Sequence, residues 1–134
     1  MIQEKLERTL LGKGIGLNFI ANDRYKTNYI SFHFVTPLDP QRASFNALLS
    51  RVLTRGCQKY PSQMELNRAL DACFDASLDS ETMKIGEWHS MSLSLCLLDD
   101  AFALDGEKIT LRGLEILKEV LFAPYFVNGA FSAE

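Results

Sequence analysis

Strict alternation of apolar and polar residues marks two segments of the chain. In residues 28 to 36 (NYISFHFVT), Ile30, Phe32 and Phe34 share one face, and Ser31, His33 and Val35 share the other. In residues 88 to 98, Met91, Leu93, Leu95 and Leu97 alternate with Ser90, Ser92, Ser94 and Cys96. A period of two places successive side chains on opposite faces of a strand, so both segments predict half-buried strands. The leucine side should point inward and the serine side to solvent, to a second layer, or to an edge that pairs with another chain or peptide. Residues 15 to 20 (IGLNFI) predict a further strand, with a turn from Asn22-Asp23 to about Lys26. Residues 76 to 85 predict a modest strand with a polar face, closed by a turn over residues 84 to 87.

The period changes between these pairs. Phe45, Leu48, Leu49, Val52 and Leu53 fall at helical spacing and predict a helix from about Arg42 to Thr54, packed through that stripe. Gly56 is placed to end it. Ser62-x-x-Glu65 is a capping box, and Leu66, Ala69, Leu70, Cys73 and Phe74 repeat the stripe in a second helix. A third helix is expected from about Thr110 to Phe122, with Leu111, Leu114, Leu117 and Leu121 on one face and Pro124 after its end. Ile2, Leu6, Thr9 and Leu10 suggest a short helical opening, broken by Gly12, Gly14 and Gly16.

The expected order is β-β-α-α-β-β-α, with each pair of consecutive strands forming a hairpin. This is an α+β fold in which helices cover one face of an antiparallel sheet. No repeat or linker divides residues 1 to 134, so one domain is expected. Ser132 would make a good helix N-cap, which suggests a fragment of a longer protein that continues into another helix.

Composition changes this picture little. The chain is 47% hydrophobic and 23% charged, with net charge −3, which is ordinary for a globular domain. Its 14 Lys and Arg form no dense run, which argues against a nucleic-acid surface. No apolar stretch approaches the roughly 20 residues needed to span a bilayer. The start lacks the order of a signal peptide. Cys57, Cys73 and Cys96 are odd in number and widely spaced, as for reduced thiols in a cytoplasmic protein.

Candidate chemistry is sparse. Gly12-Lys13-Gly14-Ile15-Gly16 precedes a strand, whereas a phosphate loop follows one, so it is read as a turn. His33 and His89 are the only histidines and sit on different strands; a zinc site needs three or four converging ligands. Both are expected in structural or surface roles. Ser50 has no local base or nucleophile elbow and is read as part of a solvated helix face.

The ordered features resemble a known family. They are the strand ISFHFVTPLD, the helix ending Leu53-Thr54-Arg55-Gly56, the loop Cys57-Gln58-Lys59-Tyr60-Pro61-Ser62, the helix Glu65-Leu66-Asn67-Arg68-Ala69-Leu70 and the run Leu117 to Pro124. In this order they resemble the N-terminal domain of pitrilysin/insulinase-type metallopeptidases over nearly the whole chain. That family carries its chemistry on the first helix as His-x-x-Glu-His, two zinc-binding histidines and a glutamate general base. The Arg55-Gly56 and Tyr60-Pro61 anchors align those positions with Ala47, Ser50 and Arg51. Alanine has no donor atom, serine is too weak a base, and arginine repels a dication. The family's third ligand would lie past residue 134.

The resemblance therefore implies a non-catalytic bacterial member with no metal and no cofactor. Such members are encoded beside a catalytic paralogue and associated with peptide maturation or modification of a translation factor. The implied partners are a zinc-bearing paralogous subunit and a substrate peptide, with no nucleic acid and no membrane. Two other readings stand beside it: a scaffolding domain without a peptide substrate, and an active metallopeptidase with displaced ligands that would draw on His33 or His89.

Overall fold

The computed structural model describes residues 5–131. Two strands, β1 (Leu6–Gly12) and β2 (Ile15–Ile20), form an antiparallel hairpin closed by Lys13-Gly14. Gly14 takes φ +76°, a left-handed conformation that glycine adopts without steric cost. This corrects the expected helical opening. A short isolated helix is marginal in water, and the glycine turn instead folds residues 15 to 20 back on residues 6 to 12. Ile2, the first residue of that expected helix, and Ser132, the expected cap, lie outside the described residues.

The expected first hairpin is also corrected. β3 (Thr27–Pro37) does not pair with β2. It pairs along its whole length with β5 (Trp88–Leu98), and β5 pairs on its other side with β4 (Ser77–Ile85). The sheet order is β3-β5-β4, all antiparallel. The second hairpin, β4–β5, is as expected, with Gly86 at φ +59° in its two-residue turn.

Helices α1 (Ala43–Leu53), α2 (Gln63–Asp71) and α3 (Ile109–Phe122) follow the predicted order. β5 is the central strand, and its odd residues point at the helices. The Cβ that Gly113 lacks would lie 2.9 Å from Leu95 Cδ2 and 3.1 Å from Leu97 Cδ1, so α3 rests directly on this face. The core joins Leu93, Leu95 and Leu97 of β5 to Leu66 and Leu70 of α2 and to Ile116, Leu117 and Val120 of α3. Full burial of each such side chain contributes roughly 1.5–3 kcal/mol. Helices thus cover one face of an antiparallel sheet, and the fold is α+β.

The capping box forms: Ser62 Oγ accepts the Glu65 N–H at 3.3 Å, and the Ser62 N–H donates to Glu65 Oε2 at 3.1 Å. α2 ends before the expected stripe is complete. Phe74 and Asp75 both take φ +58°, which turns the chain into β4 and leaves Phe74 partly exposed. The α3 stripe is rotated from its expected position. Leu117 is buried, but Leu111 and Leu114 are exposed, and Ile109, Gly113, Ile116 and Val120 complete the inward face. Glycine counts as nothing in an apolar pattern, yet here it marks the closest approach of helix to sheet.

Two short 3-10 turns (Asp100–Phe102 and Leu104–Gly106) link β5 to α3. After α3 an isolated bridge, Cys57 to Pro124, ties its end to the α1–α2 loop. Two short strands, β6 (Phe126–Val127) and β7 (Ala130–Phe131), form a last hairpin.

Candidate functional site

The helix that the resemblance matched to a zinc helix is α1, and its orientation differs from expectation. Phe45 and Leu48 are 73% and 60% exposed, and Leu49 is exposed as well. Val52 and Leu53 are half-buried, and only Leu53 packs against the core. The face laid on the sheet carries Ala43, Asn46, Ala47 and Ser50, which fall at i, i+3, i+4 and i+7. The stripe does not seat the helix; small and polar residues do, because they permit close approach to β4 and β5.

Ser50 is the buried residue of α1, at 5% exposure, and not part of a solvated face. Its hydroxyl lies 3.0 Å from the Ala47 carbonyl, to which it donates, and 3.1 Å from Thr82 Oγ1 on β4. One turn earlier, Asn46 Nδ2 lies 3.4 Å from Nδ1 of His89, itself 5% exposed. His89 follows the inward parity of Met91 and Leu93, which was the sequence signal for its burial. Its partner in α1 had no such signal. A seam of four polar residues therefore joins α1 to the sheet, and the two bonds across it hold the helix in place. Ala47 is half-buried beside the sheet, and Arg51 is exposed.

His33 lies on the opposite face of the sheet. It is exposed, and its Nε2 is 2.9 Å from Ser31 Oγ on the same strand. The two histidines are thus separated by the sheet itself. No group of three or more His, Cys, Asp or Glu side chains able to hold a metal ion occurs among the described residues.

The three cysteines are free. Burial pushes the Cys57 and Cys73 thiols above the ordinary range, so both stay protonated and inert. Cys73 lies at the wall of a cleft of about 470 Å³ between α2 and α3, which also carries Lys59, Arg68, Arg112, Glu65 and Glu115. Cations and acids are mixed there, and none of the lining residues belongs to α1. No helix is long and apolar enough to cross a membrane among the described residues.

The fold and the seam define an α+β domain whose first helix is fixed to the sheet by polar contacts. No protein-family model matches the chain. The chain is 26% identical over 121 residues to a Bacillus subtilis (strain 168) protein named probable inactive metalloprotease YmfF, covering 90% of this chain and 28% of that protein. It also superimposes on the crystal structure of a conserved protein from Enterococcus faecalis V583 with a TM-score of 0.89 and 28% identity, over 96% of this chain and 30% of that one. The chain spans less than a third of the length of either relative.

Proposed function

We propose that the protein is a catalytically inactive, metallopeptidase-like domain of the pitrilysin/insulinase type. In this reading it serves as a non-catalytic subunit that pairs with a zinc-bearing paralogue in peptide processing. One observation carries the reading: Ser50, which aligns with the catalytic glutamate, is 5% exposed and bonded to Thr82. A general base must reach the water it activates, and this position is occupied by a structural hydroxyl inside the helix–sheet seam. Ala47 and Arg51, aligned with the histidines, supply no ligand. The relative named as a probable inactive metalloprotease supports the same direction.

Co-expression of the full-length protein with a zinc-bearing paralogue from the same organism tests the pairing. A stable complex with raised peptidase activity of the paralogue is expected; separate elution with unchanged activity refutes the subunit role. The scaffolding alternative predicts a complex without any gain in activity. Metal analysis tests the alternative of displaced ligands, which requires stoichiometric zinc that disappears on His89→Ala or His33→Ala.

A further inference from the structure

The face of the sheet turned away from the helices is built as a trough. Its floor is the even-numbered row of β5: Ser90, Ser92 and Ser94. Direct pairing sets His33 and Glu81 on either side of Ser92, and Ser31 and Asp79 on either side of Ser94. Cross-strand partners project from the same face, so the floor is small and, except at Ser31, the walls are taller. The walls stand two strand spacings apart, roughly 9.5 Å.

The floor contains polar groups that the protein leaves unused. Ser90 and Ser92 are only 6% and 9% exposed, and their hydroxyls bond to no protein group among the described residues; no fully buried polar side-chain atom there lacks a partner, so both hydroxyls reach the open face. Donors and acceptors of a ligand lying on this face would find these hydroxyls free of protein partners. The wall on β4 is anionic: Asp79 and Glu81 are exposed and take part in no ion pair among the described residues. The trough ends are apolar, with Val35 and Met83 flanking Ser90 and Tyr29 beside Cys96.

We propose that this open face binds an extended cationic peptide lying along β5. Its polar groups would meet the Ser90, Ser92 and Ser94 hydroxyls, and its Lys or Arg side chains would reach Asp79 and Glu81. Serines at i, i+2 and i+4 of a strand are about 6.7 Å apart, which is the repeat of an extended peptide. A helix, with a pitch of about 5.4 Å, falls out of step with that row. The acidic wall opposes nucleic acid and selects positive charge. The inference deepens the reading as a non-catalytic peptide-handling subunit, and rests on it for the class of ligand.

The test uses the full-length protein and a fluorescein-labelled ten-residue peptide of alternating lysine and alanine, with a glutamate–alanine peptide as control. Anisotropy should show binding of the lysine peptide only, weakened by salt. Asp79→Lys/Glu81→Lys should weaken it by roughly tenfold or more, and Ser92→Leu, which fills the floor, should also weaken it. Equal binding of the two peptides, or no effect of the charge reversal in a variant with an unchanged melting curve, overturns the proposal. Should the double variant not fold, the wild type decides: the lysine peptide must slow alkylation of Cys96, and an unchanged rate refutes the site. Co-purification with the zinc-bearing paralogue is measured in parallel. A complex that persists while the peptide fails to bind sinks the trough alone. Peptide binding without any complex sinks the subunit role alone.

Discussion

Ser50 Oγ and Thr82 Oγ1 lie 3.1 Å apart and join α1 to β4. A double-mutant cycle measures the bond. Ser50→Ala and Thr82→Val should each cost about 1 kcal/mol, and the double variant little more than either alone, because removing both partners leaves neither hydroxyl stranded. Denaturant melts of the four proteins give the coupling; strict additivity would show that the two hydroxyls do not interact. Ser50→Glu should cost about 3 kcal/mol or more, since it buries an uncompensated carboxylate.

The exposed stripe of α1 gives a contrast with the core. Phe45→Ser should change stability by no more than about 0.5 kcal/mol, as for other exposed sites. Leu66→Ala, at a site with 0% exposure, should cost roughly 2–5 kcal/mol. Thermal melts of the two variants check this, and a large loss from Phe45→Ser would restore the stripe as a packing face.

Two glycines are held by close approach rather than by turn geometry. A Cβ on Gly56 would lie 2.9 Å from the Tyr60 carbonyl oxygen and 3.0 Å from that of Pro61. The loop backbone is fixed there by Cys57 N–H to Tyr60 O at 2.8 Å and Tyr60 N–H to Cys57 O at 3.1 Å. Gly56→Ala should therefore cost roughly 2–3 kcal/mol. Gly113→Ala meets leucine side-chain tips that can give a little, and it gains about 1 kcal/mol of helix propensity. Chemical denaturation should rank Gly56→Ala as the more damaging of the two.

Asp100 should make the start of α3 sensitive to acid. Its carboxylate accepts the Thr110 N–H at 2.8 Å, and this bond holds its pKa below the ordinary carboxylate value. A lowered folded-state pKa gives stabilisation that is present above the ordinary value, near 4, and lost as pH falls through the lower folded value. The protection factor of the Thr110 amide, its exchange relative to an unstructured peptide at the same pH, should fall over that acid range in the wild type and be low at all pH in Asp100→Ala.

Thiol chemistry should sort the cysteines by depth. Cys57 and Cys73 are 0% and 1% exposed, while Cys96 is half-buried on the open sheet face. Alkylation of the native protein followed by mass spectrometry should modify Cys96 first, and all three only after unfolding. Labelling of Cys57 ahead of Cys96 would contradict the burial described.

Strands β2 to β5 and the three helices were legible because their side-chain periods are local properties. β5 declared both its inward leucines and its outward serines, and Ser62 and Glu65 declared a capping box. The partner of each strand was not legible. β2 turned back on β1 because a glycine turn is satisfied locally, which left β3 to find β5 more than fifty residues away. The absence of His, Asp and Glu from α1 could be read directly, since it depends on residue identity.

The orientation of α1 could not be read that way. An apolar stripe shows that a helix is amphipathic but not which neighbour covers it. In α1 the stripe points outward, and Asn46 and Ser50 meet His89 and Thr82 instead. The sequence by itself determined strands β2 to β5, the three helices, the inward row of β5 and the absence of His, Asp and Glu on α1, all set by residues within a few positions of one another. Only the tertiary structure decided the strand order, the polar seam under α1 and the placing of the β5 serine row between β3 and β4. Those depend on contacts between residues far apart in the chain, which no local period encodes.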